Sequence, residues 1–183
     1  LVKNEEFQKK AIEEFKNCRV KKEYVAAVKG IVSEEFSVNE PIITLKNKGG
    51  AFSKISPNGK EAFSHVTPVM VAGKKSLVKV EIKTGRTHQI RVHLASLNRH
   101  ILGDALYGFK SEKDKIGRVM LHAYGLYFTH PRTGGQMSFV APVWDDFSEI
   151  LLSKFSKENI DEKIDFMGLS ELFSRCDEWM RIL

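Results

Sequence analysis

Three basic or ionisable side chains lie close together in the stretch KTGRTHQIRVHL, which occupies residues 83–94. Thr87 and the apolar spacing after it predict a helix, so Arg86, His88 and Arg91 come at its first turns. The N-terminal end of a helix carries partial positive charge and disfavours cations. The unpaired N–H groups at such an end, together with arginine side chains, suit an oxyanion. The stretch therefore predicts a site for a phosphate group.

A second interpretation stays open, because the two arginines can instead pair with carboxylates of the protein itself. A metal site is a weaker hypothesis, since His88 and His93 project about 140° from each other on a helix. His93, His122 and His130 are accordingly predicted to make structural hydrogen bonds. The sequence contains neither a GxSxG nucleophile elbow nor a glycine-rich nucleotide loop. No cofactor and no metal are therefore expected.

Composition restricts the class of protein only loosely. The chain has 183 residues and a formal net charge of +6, which suits a polyanionic partner without requiring one. Its two cysteines, Cys18 and Cys176, are far apart and form no CxxC pair, so a reducing, cytoplasmic location is expected. No apolar run approaches the roughly 20 residues that span a bilayer, so no membrane association is expected.

Helices are predicted towards both ends of the chain and directly after the basic turn. Asn4 suits the N-cap of the first helix and Thr87 that of the helix after the basic turn. Ile90, Leu94 and Leu97 recur at the spacing of one buried helix face. The predicted helices cover residues 5–17, 88–98, 144–155 and 160–183.

Strands are predicted between these helices. KEYVAAVKG is one, and EAFSHVTPVM and SLVKVEIKT flank the turn-forming AGKK. HAYGLYFTHP and GQMSFVAP form a predicted hairpin through RTGG, whereas residues 33–59 are predicted to be loops around one strand at residues 42–45. Strands joined by short turns favour antiparallel pairing, so the predicted fold class is α+β, with a mixed, mostly antiparallel sheet and flanking helices.

The stretch VKVEIKTGRTHQIRVHLASLNRHILGDALYG resembles the RluA family of RNA pseudouridine synthases throughout its length. VKKEYVAAVKG and NGKEAFSHVTPV upstream, and VMLHAYGLYFTHPRTGGQMSFVAPVWDDF downstream, are similar to further segments of that family in the same order. The resemblance extends over residues 1–147. It implies a partial catalytic domain of that family over residues 1–156. The helical periodicity of the remaining chain predicts a C-terminal helical extension over residues 157–183, which has no counterpart in the resemblance.

The resemblance implies an enzyme that isomerises uridine to pseudouridine in RNA without a cofactor. The expected partner is RNA, with large-subunit ribosomal RNA as the first expectation and tRNA as the other. By position, the resemblance gives Tyr24 the role of stacking on the base and accepting the proton from C5. It gives Arg91 the role of pairing with the catalytic aspartate near a phosphate, and Leu121 that of packing against the base. The RNA contacts that it suggests are Arg86, His88 and Gln89.

One motif of the family is absent from the 183 residues. The family's nucleophile is the aspartate of an HRLD-like motif that precedes the first helix, and no HRLD occurs here. We therefore expect an N-terminally truncated domain that is inactive alone, with a non-catalytic RNA-binding module as the alternative. No other aspartate is in a matching context, and Asp104 in GDALYG is expected to cap its loop. The sequence leaves the oligomeric state open.

Overall fold

The computed structural model describes residues 4–47, 50–108 and 116–154, so the extension predicted over residues 157–183 lies outside the described residues. None of the described helices is long and apolar enough to cross a bilayer. The helices are α1 (Glu5–Lys16), α2 (Gln89–Ser96) and α3 (Asp145–Lys154). The strands are β1 (Lys21–Lys29), β2 (Phe36–Asn39), β3 (Ile42–Asn47), β4 (Gly50–Ile55), β5 (Phe63–Ala72), β6 (Lys75–Ile82), β7 (Leu121–Thr129) and β8 (Gln136–Val140).

Six of these strands form one sheet in the order β2-β5-β6-β1-β7-β8, and β3 pairs with β4 as a separate two-stranded sheet. Every described pairing between strands is antiparallel. β1 lies inside the sheet because its run from Val25 to Val28 is apolar on both faces, and all four residues are 0% exposed. The predicted α+β class with a mostly antiparallel sheet is confirmed.

The elements with strong patterns lie within one or two residues of their predicted places. Asn4 caps α1 as predicted, since its Oδ1 accepts a hydrogen bond from the Phe7 N–H at 3.1 Å. β5 and β6 pair around the predicted turn, and β7 and β8 form the predicted hairpin. α3 covers most of the helix predicted over residues 144–155.

Residues 33–59 contain more strand than predicted. The glycine pair after residue 48 indicated a loop, yet β3 and β4 pair in antiparallel register as far as Asn47 and Gly50. β2 was missed as well, because its alternation of apolar and polar residues extends over only four positions, too few to separate a strand from a loop. β4 was missed because its sequence, GAFSKI, has no strong strand pattern of its own.

The prediction that Thr87 caps α2 is wrong. The helix begins at Gln89, and His88 occupies the N-cap in the left-handed conformation, with φ 56° and ψ 21°. The N-cap residue makes no capping hydrogen bond through its side chain. The Gln89 side chain instead holds the turn before the helix, because its Oε1 accepts the N–H of Arg86 at 3.0 Å. Leu97 is 43% exposed and does not belong to the buried face of this helix.

Candidate active site

Two of the predicted site residues, Tyr24 and Leu121, lie on the same face of the sheet. Leu121 is directly opposite Ala26, which is two residues from Tyr24 on β1. Directly opposite residues, and residues two apart on one strand, point to the same side of a sheet. Both side chains are partly buried and pack against the main hydrophobic core. Their partial exposure leaves each with a surface that a ligand can contact.

Helix α2 covers this same face. Through the registers of β5, β6 and β1, Ser64 lies on the face that carries Tyr24. The Ser64 Oγ accepts a hydrogen bond from Gln89 Nε2 at 3.1 Å and is 2.9 Å from His93 Nδ1, and both residues belong to α2. The fold therefore brings α2, and with it Arg91, to the side of the sheet that bears the predicted base-handling residues.

Arg91 forms a bidentate ion pair with Asp104, in the loop between α2 and β7. Its Nε donates to Oδ2 at 2.8 Å and its Nη2 donates to Oδ1 at 2.7 Å. The side chain of Asp104 is 1% exposed and that of Arg91 is 17% exposed. The interpretation that this arginine pairs with a carboxylate of the protein is thus confirmed. The pair engages only one edge of the guanidinium and leaves the Nη1 edge outside it.

Asp104 also holds its own loop, as predicted. Its Oδ1 accepts the N–H groups of Leu106 and Tyr107, each at 3.0 Å. Burial alone raises the pKa of Asp104, but the hydrogen bonds from Arg91 and from these two N–H groups outweigh it, so the pKa lies below its usual value. The same contact with Asp104 raises the pKa of Arg91. Both groups are therefore charged at neutral pH.

Tyr107 connects this loop to α2 and to the β3–β4 hairpin, and no role was predicted for it. Its Oη accepts the N–H of Ser53 at 2.7 Å and lies 2.9 Å from His88 Nδ1. Its ring lies 4.9 Å from Cζ of Arg91 and stacks on Phe52 at 5.2 Å. The one available signal was an aromatic residue in the glycine-bounded GDALYG, and that signal does not show what the ring contacts.

The three predicted RNA contacts differ in exposure. Gln89 is 2% exposed, and both its Oε1 and its Nε2 have two partners inside the protein, so its side chain does not reach the surface. Arg86 is partly exposed and donates from Nε to the carbonyl of Glu61 at 2.8 Å. His88 is partly exposed beside Tyr107. Arg86 and His88 can face a ligand from this turn, whereas Gln89 builds the turn.

The predicted structural roles of the other histidines are confirmed. His93 is 1% exposed and bridges Ser64 and the carbonyl of Glu40. His122 Nε2 bonds to the carbonyl of Ala141, and His130 Nδ1 accepts N–H groups of the β7–β8 turn. In the described residues, histidine, cysteine, aspartate and glutamate form no group of three that could hold a metal ion.

Two ionisable groups near each other on β1 have pKa values altered by burial. Burial raises the pKa of Tyr24, so its phenol stays protonated at neutral pH. Lys22 lies on the same face and is 9% exposed, and burial lowers the pKa of its amine. Its Nζ donates to the carbonyl of Lys83 at 3.0 Å, at the turn that leads into α2. The burial of Lys22 was not predicted, because nothing in the sequence distinguishes a buried lysine from an exposed one when two lysines are adjacent in a strand.

Two further cavities lie away from these residues. One, of about 460 Å³, is an apolar groove between α1 and the β7–β8 hairpin. The other, of about 320 Å³, lies on the opposite face of the sheet and is lined by Lys79, Glu81 and their neighbours. None of the six predicted site residues lines either cavity. The candidate site is thus defined by the placement of its side chains on one face.

Comparison of the sequence with known proteins identifies the family to which it is similar. A family model described as RNA pseudouridylate synthase matches residues 1–96. An RNA pseudouridine synthase of Helicobacter pylori J99, named as uncharacterised, is 54% identical over 125 residues, covering 68% of this chain and 50% of that protein. Ribosomal large subunit pseudouridine synthase D of Vibrio cholerae is 36% identical over 146 residues, covering 73% of this chain and 45% of that protein.

Solved structures agree with this result. Human RNA pseudouridylate synthase domain containing 1 superposes with a TM-score of 0.64 at 28% identity, covering 77% of this chain and 62% of that one. A second human protein, RNA pseudouridylate synthase domain containing 4, shares the fold with a TM-score of 0.65. The chain spans about half the length of the curated relatives it matches. With the family model matching just over half of its residues, the chain belongs to the RNA pseudouridylate synthase family.

Proposed function

We propose that the protein isomerises uridine to pseudouridine in RNA, with Tyr24, Leu121 and Arg91 in its active site. One observation carries the proposal: the register of the sheet places Tyr24 and Leu121 on the face that α2 covers with Arg91. Membership of the family supports the same reaction. An aromatic ring and an apolar side chain on the sheet face that α2 covers, with a fixed cation on α2, suit a flipped base and its phosphate.

Each of these residues has a task that its surroundings suit. Extracting a uridine from its stack costs a few kcal/mol, and stacking on the partly exposed ring of Tyr24 offsets part of that cost. Leu121 supplies an apolar wall that keeps water from the detached base. Arg91 directs its Nη1 edge to a phosphate while Asp104 holds the opposite edge. Because burial keeps the Tyr24 phenol protonated, removal of the C5 proton needs an acceptor that takes the phenolic proton.

Asp104 is unsuited to act as the nucleophile. Its carboxylate is 1% exposed and is occupied by Arg91 and two backbone N–H groups. A carboxylate stabilised by this many donors reacts poorly with a sugar carbon. We propose that the catalytic carboxylate comes from residues outside these 183, in the HRLD-like motif that the family places before the first helix, and that the 183 residues alone do not turn over.

Large-subunit ribosomal RNA is the proposed substrate. The relatives from Vibrio cholerae and Buchnera aphidicola are named ribosomal large subunit pseudouridine synthases D and C. tRNA is the second candidate, because stacking on Tyr24 and a phosphate contact from Arg91 distinguish neither RNA. A cytoplasmic location agrees with both.

Tritium release from RNA labelled at C5 of uridine tests the function. The assay compares the 183-residue chain with a longer protein in which an HRLD-containing segment precedes it, on ribosomal RNA and on tRNA. We expect release only from the longer protein, with Tyr24→Phe and Arg91→Lys each reducing the rate at least tenfold. Tyr127→Phe on β7 is the matched control and should retain the rate. Absence of release from the longer protein on both RNAs would overturn the proposal.

A non-catalytic RNA-binding module is the second candidate. The observation that favours it is the full engagement of Asp104, together with the absence of HRLD from the sequence. The same assay separates the two functions when RNA binding is measured in parallel. Binding by the longer protein with no tritium release supports the module, and release supports the enzyme.

A further inference from the structure

The hydroxyl of Tyr107 has two partners, and their chemistry decides the direction of its hydrogen bonds. The N–H of Ser53 can only donate, so Oη accepts this bond at 2.7 Å. The second partner is His88 Nδ1 at 2.9 Å. Within the described residues, Nδ1 is the acceptor available to the hydroxyl proton, because Oη has no other hydrogen-bond contact there than these two. We therefore direct the proton to Nδ1. Nδ1 is then an acceptor.

A histidine whose Nδ1 accepts a hydrogen bond is neutral and carries its proton on Nε2. The Nε2 of His88 has no hydrogen-bond partner among the described residues, and it is not among their buried atoms that lack one. The Nε2–H is therefore directed to solvent as a donor. Burial and the charge of Arg91 lower the pKa of His88, with Asp104 acting weakly in the other direction, so the neutral form is favoured.

The backbone of His88 is strained in a way that needs support. A residue other than glycine with φ 56° and ψ 21° is in the sparsely populated left-handed region and persists where neighbouring contacts hold it. Tyr107 supplies two such contacts, the hydrogen bond to Nδ1 and an edge-on ring contact with centroids 5.5 Å apart. The same ring lies against Arg91, whose partner Asp104 accepts the N–H of Tyr107. The side chain of Tyr107 thus contacts both His88 and Arg91.

We propose that Tyr107 is a positioning residue: its hydroxyl holds His88 as the neutral imidazole with the proton on Nε2, directed outward to donate to an acceptor oxygen of the RNA. The contact with RNA rests on the proposed function, whereas the assignment of the proton to Nε2 of His88 does not. Tyr107 acts through His88 and touches no substrate.

Nitrogen NMR of the 183-residue chain, labelled with ¹⁵N in its histidines, tests the first part without RNA. His88→Gln assigns the signal, and we expect the wild type to show protonation at Nε2. Tyr107→Phe retains the ring against Phe52 and Arg91 but removes the hydroxyl. We expect this variant to mix the two neutral forms of His88 and to raise its titration midpoint, while the signals of His93 stay unchanged.

A wild-type His88 protonated on Nδ1, or an unchanged His88 signal in Tyr107→Phe, overturns the proposal. If that variant fails to fold by circular dichroism, the wild-type signal still decides, because it needs no substitution. For the RNA part, His88→Gln and Tyr107→Phe should each weaken RNA binding about three- to tenfold. If RNA binding is unaltered while the NMR result is as expected, the proposed contact between His88 and RNA is wrong and the assignment of the proton to Nε2 stands. Failure of the tritium assay leaves the NMR result standing.

Discussion

At the scale of single residues, the described part of the chain contains two arginine–aspartate pairs of the same chemistry in different surroundings. Arg91 and Asp104 are 17% and 1% exposed, whereas Arg118 and Asp146 are 34% and 50% exposed. Water screens the second pair and little screens the first. A buried charge that loses its partner retains the cost of its desolvation, so the two pairs should respond differently to removal of the acid.

We expect Asp104→Ala to lower the free energy of unfolding by about 3–5 kcal/mol, because it leaves the buried charge of Arg91 uncompensated and removes the acceptor for two N–H groups. Asp146→Ala is the control and should cost about 0–1 kcal/mol. Chemical denaturation followed by circular dichroism measures both. Equal losses in the two variants would show that burial does not distinguish these pairs.

At the scale of elements, periodicity predicted that a helix carries Arg91 but not where the helix begins. Thr87 has the expected N-cap chemistry, yet the turn before the helix is held by the side chain of Gln89, which also bonds to β5. That contact depends on how helix and sheet pack, which no local pattern contains. The ion pair of Arg91 with Asp104 is also a contact that only the fold creates. By contrast, the pairing of β5 with β6 around AGKK and the cap of α1 depend on local sequence, and both were predicted correctly.

The contact between α2 and β5 has a pH dependence that comes from His93. Burial, opposed in part by the carbonyl of Glu40, lowers the pKa of His93 below its ordinary value of about 6.5. The unfolded chain therefore takes up the proton at a higher pH than the folded protein. The stabilisation is complete above about pH 6.5 and is lost as the pH falls below it towards the lowered folded value.

We expect the free energy of unfolding to decrease between pH 7.5 and pH 5, and the decrease to be smaller in His93→Gln. Urea denaturation at several pH values gives both curves, and their difference isolates His93 from other titrating groups. At pH 7.5 the variant should be less stable, because a shorter side chain cannot reach both Ser64 and the carbonyl of Glu40. Parallel curves for the two proteins would contradict the role given to His93.

At the scale of the whole molecule, the net charge of +6 is moderate, so the placement of cations matters more than their number. Among the described residues, no carboxylate lies within ion-pair distance of Arg86. Of its guanidinium nitrogens, only Nε has a hydrogen-bond partner there, the carbonyl oxygen of Glu61. The charge of Arg19 is compensated, because Glu14 accepts hydrogen bonds from two of its guanidinium nitrogens, Nε and Nη2. An RNA phosphate meets an uncompensated charge at the first arginine and a compensated one at the second.

This contrast predicts how RNA affinity changes with salt. A contact between a cation and a phosphate releases a condensed ion, which makes the logarithm of the binding constant fall by roughly 0.7 per contact for each unit of log salt on single strands. Arg86→Gln should therefore make the measured slope shallower by roughly one contact, and Arg19→Gln should leave it unchanged. Fluorescence anisotropy with a labelled uridine-containing RNA between low and physiological salt measures the slopes. A slope near zero for the wild-type chain would show that the basic turn does not bind phosphate. Equal slopes for the two variants would show that Arg86 does not make the phosphate contact.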